Sequence, residues 1–152
     1  MVRITMCGQK NRKYLNALFL GLGLLLLYPS YGRSQERNDK EVVKIFSQFE
    51  EGLSSGTIDK FSSFFAGRNY ISLRNGSTGY YSANQSYYVI KDYLSIYQPI
   101  TFKLTNIVAD SSTPFASGVL RYSSKGIRGF AMVFISLQYA DNTWRISQIT
   151  IN

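Results

Sequence analysis

Residues 115–151 read FASGVLRYSSKGIRGFAMVFISLQYADNTWRISQITI. Apolar and polar side chains alternate along this stretch, and two turn-forming dipeptides, Lys125-Gly126 and Asp141-Asn142, interrupt it. That is the pattern of antiparallel strands joined by tight turns. If Lys125-Gly126 is a two-residue turn, Tyr122 falls opposite Gly129, Leu120 opposite Ala131 and Val119 opposite Met132. If Asp141-Asn142 is another, Tyr139 falls opposite Trp144 and Leu137 opposite Ile146. The predicted strands are 115–123, 127–139 and 143–151. A fourth, over 100–109, precedes them across the turn Asp110 to Pro114.

Alternation then sorts the side chains into two faces. One face carries Leu120, Tyr122, Ile127, Ala131, Val133, Ile135, Leu137, Tyr139, Trp144 and Ile146, and is expected to lie beneath helices. The other carries an apolar stripe of Phe130, Met132, Phe134, Ile149 and Ile151, bordered by Arg121, Arg128 and Arg145. A face left to water carries fewer large apolar groups. The stripe is therefore either a subunit interface, most simply in a homodimer, or is covered by the curl of the sheet itself. A bulge in the last strand would swap part of this assignment. The three arginines form a candidate site for an anionic partner: envelope glycan, lipid headgroup or acidic protein. The plainer reading is a solvated surface.

Upstream the period is helical. Asn38 and Glu41 form an Asn-x-x-Glu capping signature ahead of Val42, Val43, Ile45, Phe46, Phe49 and Leu53. Gly52 and Ser54-Ser55-Gly56 end that helix. Thr57 is expected to cap a second helix with Ile58, Phe61, Phe64 and Phe65 on its apolar face, ended by Gly67. Tyr70–Leu73 and Gly79–Tyr81 read as a hairpin about Asn75-Gly76. A second capping box, Ser82-x-x-Gln85, opens a third helix bearing Val89, Ile90, Tyr93, Leu94, Ile96 and Tyr97, and Pro99 limits it. Helices first and an antiparallel meander afterwards make an α+β domain, helices covering one side of the sheet.

The N-terminus has a different composition. Residues 1–32 hold Arg3, Lys10, Arg12 and Lys13 with no acid, followed by a leucine-rich run from Leu15 to Tyr28, Pro29 and small residues. This reads as a signal peptide cleaved near Gly32, then a polar leader over 33–38 and one domain over 39–152. The apolar run falls short of the ~20 residues that span a bilayer, so no stable membrane span is expected after cleavage. Much of the formal +8 charge belongs to this segment. Export to the periplasm or medium disfavours a nucleic-acid partner. The chain contains no histidine, and its one cysteine, Cys7, lies in the segment expected to be removed. No disulfide, zinc, copper or iron site is therefore expected in the mature chain, and no cofactor.

One motif has a family likeness. Tyr81-Ser82-Ala83-Asn84-Gln85-Ser86, with Val89-Ile90-Lys91-Asp92-Tyr93, resembles the third-helix signature of a family of secreted proteins, domain of unknown function 4783. That signature runs Tyr-Ser-x-x-Gln-Ala, then an aliphatic, Lys-Asp and an aromatic. The hairpins with Gly118, Lys125-Gly126 and Trp144-Arg145-Ile146 are similar as well, so the resemblance covers residues 39–152. It implies a fold like nuclear transport factor 2: three N-terminal helices packed on a curved antiparallel sheet, forming a cone with a cavity. It implies no activity. Ser86 stands where the family has alanine, and reads as packing tolerance.

Within such a cone, Tyr70, Tyr122, Tyr139 and Trp144 are the candidates to line a ligand cavity. The alternative is that these aromatics fill the core. An isomerase or cyclase would need a carboxylate in the cavity, most plausibly Asp92 or Asp59. The remaining acids fall in turns and on helix surfaces. The expected function is thus non-catalytic binding of a partner protein or small apolar ligand, in the cavity or on the outer sheet face. A closed core would fit a structural envelope component instead.

Overall fold

The computed structural model describes residues 31–152, with side chains from Asp39 onward. The expected signal segment therefore lies almost wholly outside the described residues. Residues from Gln35 to Asn152 form one compact unit, and every core residue described, from Val42 to Ile151, belongs to it. In chain order the elements are α1 (Tyr31–Ser55), α2 (Asp59–Ser62), β1 (Phe65–Leu73), β2 (Thr78–Ser82), α3 (Ala83–Ile96), β3 (Gln98–Val108), β4 (Phe115–Ser124), β5 (Ile127–Ala140) and β6 (Thr143–Ile151). The strands form one six-stranded sheet in the order β2-β1-β6-β5-β4-β3. Only the β1–β6 pair is parallel.

Two tight turns set the sheet. Lys125 and Gly126 (φ 52° and 78°), and Asp141 and Asn142 (φ 51° and 62°), are all left-handed, the backbone of a two-residue type I′ hairpin. The registers follow as expected: Tyr122 opposite Gly129, Leu120 opposite Ala131, Val119 opposite Met132, Tyr139 opposite Trp144 and Leu137 opposite Ile146. Gly129 leaves room for the Tyr122 ring, whose atoms would stand 2.8 Å from a β-carbon there.

Beyond Ile146 the register shifts, because β5 pairs Leu137 with Ile146 but Ser136 with Gln148. Ser147 is the extra residue, and its hydroxyl lies 3.3 Å from the Ser136 hydroxyl. The bulge reverses the alternation of the rest of β6. Ile149 now faces Ile135, Ile151 faces Val133, and both are buried. They are not part of an outer apolar stripe, which corrects the unbulged reading. Burying each isoleucine stabilises the fold by about 1.5–3 kcal/mol, which is why the bulged register wins.

The core forms between this face and the helices. Val42, Ile45, Phe46, Phe49 and Leu53 of α1 recur at helical spacing and are buried, with the Phe49 ring meeting Phe61 and Phe102 edge-on at 4.9 and 5.8 Å. Ile90, Tyr93 and Leu94 of α3 join them, whereas Ile96 is half exposed. Ile127 and Tyr139, assigned by alternation to the covered face, are exposed because each sits beside a turn at an end of β5.

Three boundaries differ from expectation. α1 runs through Asn38, so the Asn38-Glu41 signature does not start it, and residues 33–38 are helical. The Glu41 carboxylate instead accepts a hydrogen bond from the Thr143 hydroxyl at 2.9 Å. Thr57 does not cap α2, which is a single turn preceded by a helical Ile58 with no side-chain cap. β1 begins at Phe65 and includes Gly67. Pairing with β6 captures this segment: Phe65 lies beside Ile146, whose N–H donates to the Phe64 carbonyl at 2.7 Å.

The third-helix signature works as a polar knot. Ser82 and Gln85 form a reciprocal capping box, Ser82 N–H to Gln85 Oε1 at 2.9 Å and Gln85 N–H to Ser82 Oγ at 3.3 Å. Ser86 is fully buried, donates to the Ser82 carbonyl at 2.8 Å and accepts from Asn69 Nδ2 at 3.0 Å. Buried Asn69 also bonds both backbone groups of Ala66, tying β1 to α3. Ser86 is thus a bonding partner, not a tolerated variant. Ser86→Ala should lower the unfolding free energy by about 1–2 kcal/mol by depriving Asn69 of a partner. Chemical denaturation measures this, and an unchanged midpoint would contradict the knot.

Tyr93 is fully buried and its hydroxyl has no hydrogen-bond partner among the described residues. Its ring stacks on Tyr97 at 4.6 Å, and Tyr97 meets Tyr122 edge-on at 5.1 Å. Burial, followed by the neighbouring Tyr122 and Tyr97 oxygens, pushes its ionisation far above the ordinary 10.0. Because burial holds this hydroxyl protonated in the folded state while the unfolded chain ionises near 10.0, stability is level below that value and falls as pH rises through the window above it. Tyr93→Phe removes a buried hydroxyl without a partner among the described residues, so it should raise the unfolding free energy at neutral pH by about 1 kcal/mol, and with it the melting temperature, and flatten the alkaline loss of stability. A lower melting temperature for the variant would show that the hydroxyl has a stabilising role.

Candidate functional site

The residues singled out from the sequence separate into distinct places. Tyr122 is buried against Gly129 and Tyr97. Tyr139 is exposed at the far end of β5, donates to Asn142 Oδ1 at 3.1 Å and meets the buried Trp144 edge-on at 5.2 Å. Tyr70 packs on Tyr80 in the β1–β2 hairpin at 5.2 Å. The four do not line one cavity. The reason lies in register: Tyr122 and Tyr139 stand near opposite ends of the same hairpin system, and Tyr70 is two strands away from β5.

The carboxylates that proton transfer would use are not inside either. Asp59 and Asp92 are both exposed, each on a helix. Among the described residues no group of acids, histidines or cysteines is placed to hold a metal ion.

The outer face of β3, β4 and β5 behaves differently. Arg121 and Arg128 project from it, on β4 beside Phe130 and on β5 beside Ser123. With Ile100, Val119, Gly129, Phe130 and Met132 they line a groove of about 520 Å³. Phe130 and Met132 are 68% and 50% exposed. Phe134, farther along β5, is half-buried and stacks on Phe115 at 5.8 Å. Neither Arg121 nor Arg128 makes an ion pair among the described residues. Arg145, expected to join them, does not: its guanidinium donates to the Ser63 carbonyl at 2.7 Å and holds the end of α2.

Two contributors to the groove do not follow from alternation along the strands. Ile100 enters the groove because β3 bulges there, the register passing from Pro99–Tyr122 to Thr101–Arg121. Arg74 lies beside the groove, its Nη1 donating to the Phe130 carbonyl at 3.4 Å. One signal was available: the six strands contain Arg68, Lys103, Arg121, Arg128 and Arg145 but no Asp or Glu. A second groove, of about 530 Å³ between α1 and β3, is lined by Ser47, Glu50, Glu51, Ser54, Ser55, Phe102 and Lys103. Its charges are largely paired, Glu50 with Lys103 at 3.0 Å and Glu51 with Lys60.

The fold has known counterparts. A solved protein of the same unknown-function family from Bacteroides uniformis superposes with a TM-score of 0.63 at 13% identity, covering 70% of this chain and 94% of its own. A chain designated Rd1NTF2_04 with long sheet gives 0.58 at 13% identity, covering 73% and 99%. A protein from Catenulispora acidiphila with a ketosteroid isomerase-like fold, solved with trimethylamine, gives 0.57 at 11% identity, covering 72% and 84%. At such identities these likenesses carry the fold, which is that of nuclear transport factor 2. No functionally curated protein matches the chain. The capping box, the hairpin registers and the helix-covered sheet all fall within residues 46–152, the span matched by the model of the domain of unknown function DUF4783, and the chain belongs to that family.

Proposed function

We propose that this protein is an exported binding module whose working surface is the outer-face groove, and that its ligand is an anionic amphiphile. The acidic head sits on Arg121 and Arg128; the apolar body lies along Ile100, Phe130 and Met132. The observation that carries this reading is the joining, in one groove, of exposed apolar groups and two cations without carboxylate partners among the described residues. Charge-assisted hydrogen bonds from arginine fix an acidic head, while the apolar wall supplies burial. Export is supported by the basic and leucine-rich N-terminal segment ending near Gly32.

The groove favours this ligand over self-association. With Ile149 and Ile151 turned inward, a homodimer through this face would rest on Phe130, Met132 and the half-buried Phe134. A two-fold interface buries the same patch from both copies, so it would desolvate four unpaired arginines together. The isomerase reading loses the two carboxylates it named, both of which lie on the surface.

Dodecanoate, kept below its micelle concentration, is a suitable probe. Residues 35–152 should bind it in calorimetric titration, and Arg121→Gln with Arg128→Gln should weaken binding by about tenfold or more. Dodecylamine should not bind. Equal affinity of the double variant and the parent chain would overturn the assignment of the groove.

A further inference from the structure

The tip of the β4–β5 hairpin carries the two most exposed large apolar side chains among the described residues, Ile127 at 74% and Phe130 at 68%. They point to opposite sides of the hairpin. Phe130 shares the outer face with Arg128 and Met132, while Ile127 shares the alternation of buried Ala131 and Val133. Cations surround them: Lys125 in the turn, Arg128 between them, Arg121 directly across from Phe130, and Arg74 bonded to the Phe130 carbonyl. From Phe115 to Ala140 the sequence contains no acidic residue.

We propose that this hairpin tip inserts into the interfacial layer of an anionic lipid bilayer, rooting Ile127 and Phe130 among the acyl chains while Lys125, Arg128 and Arg121 meet the headgroups. The proposal rests on the reading that the outer groove takes an anionic amphiphile, and names where that amphiphile resides. A single bound molecule needs one apolar wall. Apolar groups exposed on both sides of one hairpin tip suit a medium that surrounds it. The sign of the charge selects an anionic surface, and each cation held near such a surface adds about fivefold to binding. A second copy of the chain would bring the same cations and no matching acids from this hairpin.

Sedimentation of residues 35–152 with phosphatidylcholine vesicles, with and without phosphatidylglycerol, tests this. Binding should be at least about tenfold stronger to the anionic vesicles and should fall as salt is raised. Ile127 does not line the groove. Ile127→Ser should therefore weaken vesicle binding by about tenfold while leaving dodecanoate affinity unchanged. Ile127→Trp should show a blue shift of emission on adding anionic vesicles. Equal sedimentation of Ile127→Ser and the parent chain, or of neutral and anionic vesicles, would overturn the insertion. Dodecanoate binding without vesicle binding would overturn it too while leaving the groove reading standing. Binding to neither probe would overturn both.

Discussion

One extra residue in β6 decides which surface of this protein is free to act. Ser147, bonded across to Ser136, shifts the pairing with β5 by one position, and the alternation of the last strand reverses. Ile149 and Ile151 close the core instead of extending an outer apolar stripe. The covered face is then complete from β6 through β4, sealed by the phenylalanines of α1 and by Tyr93 of α3. The outer face is left with its apolar groups gathered near the β4–β5 hairpin, not spread over the whole sheet. A broad stripe would have suited a large subunit interface; a compact cluster beside arginines suits a smaller, charged contact.

Charge is partitioned along the same boundary. The described acids occupy helices and turns, whereas the strands hold cations alone. Some of these cations are spent internally: Arg145 holds the carbonyl at the end of α2, and Lys103 pairs with Glu50 on α1. Arg121 and Arg128 make no such pair among the described residues, standing on the outer face of the sheet. The type I′ turn and the ladder between β4 and β5 set the spacing of these two side chains. A binding surface built on paired strands holds its geometry better than one built on loops.

Much of this was legible in the residues. Two-residue turns fixed the registers of β4, β5 and β6, since turn length determines which residues face each other. The family likeness in Tyr81–Tyr93 pointed to the same fold. The ends of elements were less legible. Asn38 resembles a helix start, but nothing in residues 33–37 stops a helix; Gly67 resembles a helix stop, but parallel pairing with β6 is a tertiary contact that local sequence does not encode. The candidate site was half legible. Arg121, Arg128, Phe130 and Met132 follow from alternation. Ile100 and the inward turn of Ile149 and Ile151 depend on bulges, whose positions are set by what the opposite strand can bury. The aromatic cavity failed for the same reason: alternation assigns a face, not a position along it, so Tyr122 and Tyr139 share a face while standing far apart.

The proposed working surface of this protein is the outer face of its sheet. The most direct measurement is a nuclear magnetic resonance titration of residues 35–152 with dodecylphosphoglycerol micelles, following backbone amides. Shifts concentrated on Ile100, Val119, Arg121 and Lys125 through Met132 are the predicted result. Shifts centred instead on Tyr93, Tyr97 and Trp144 in the interior, or no shifts at all, would contradict it.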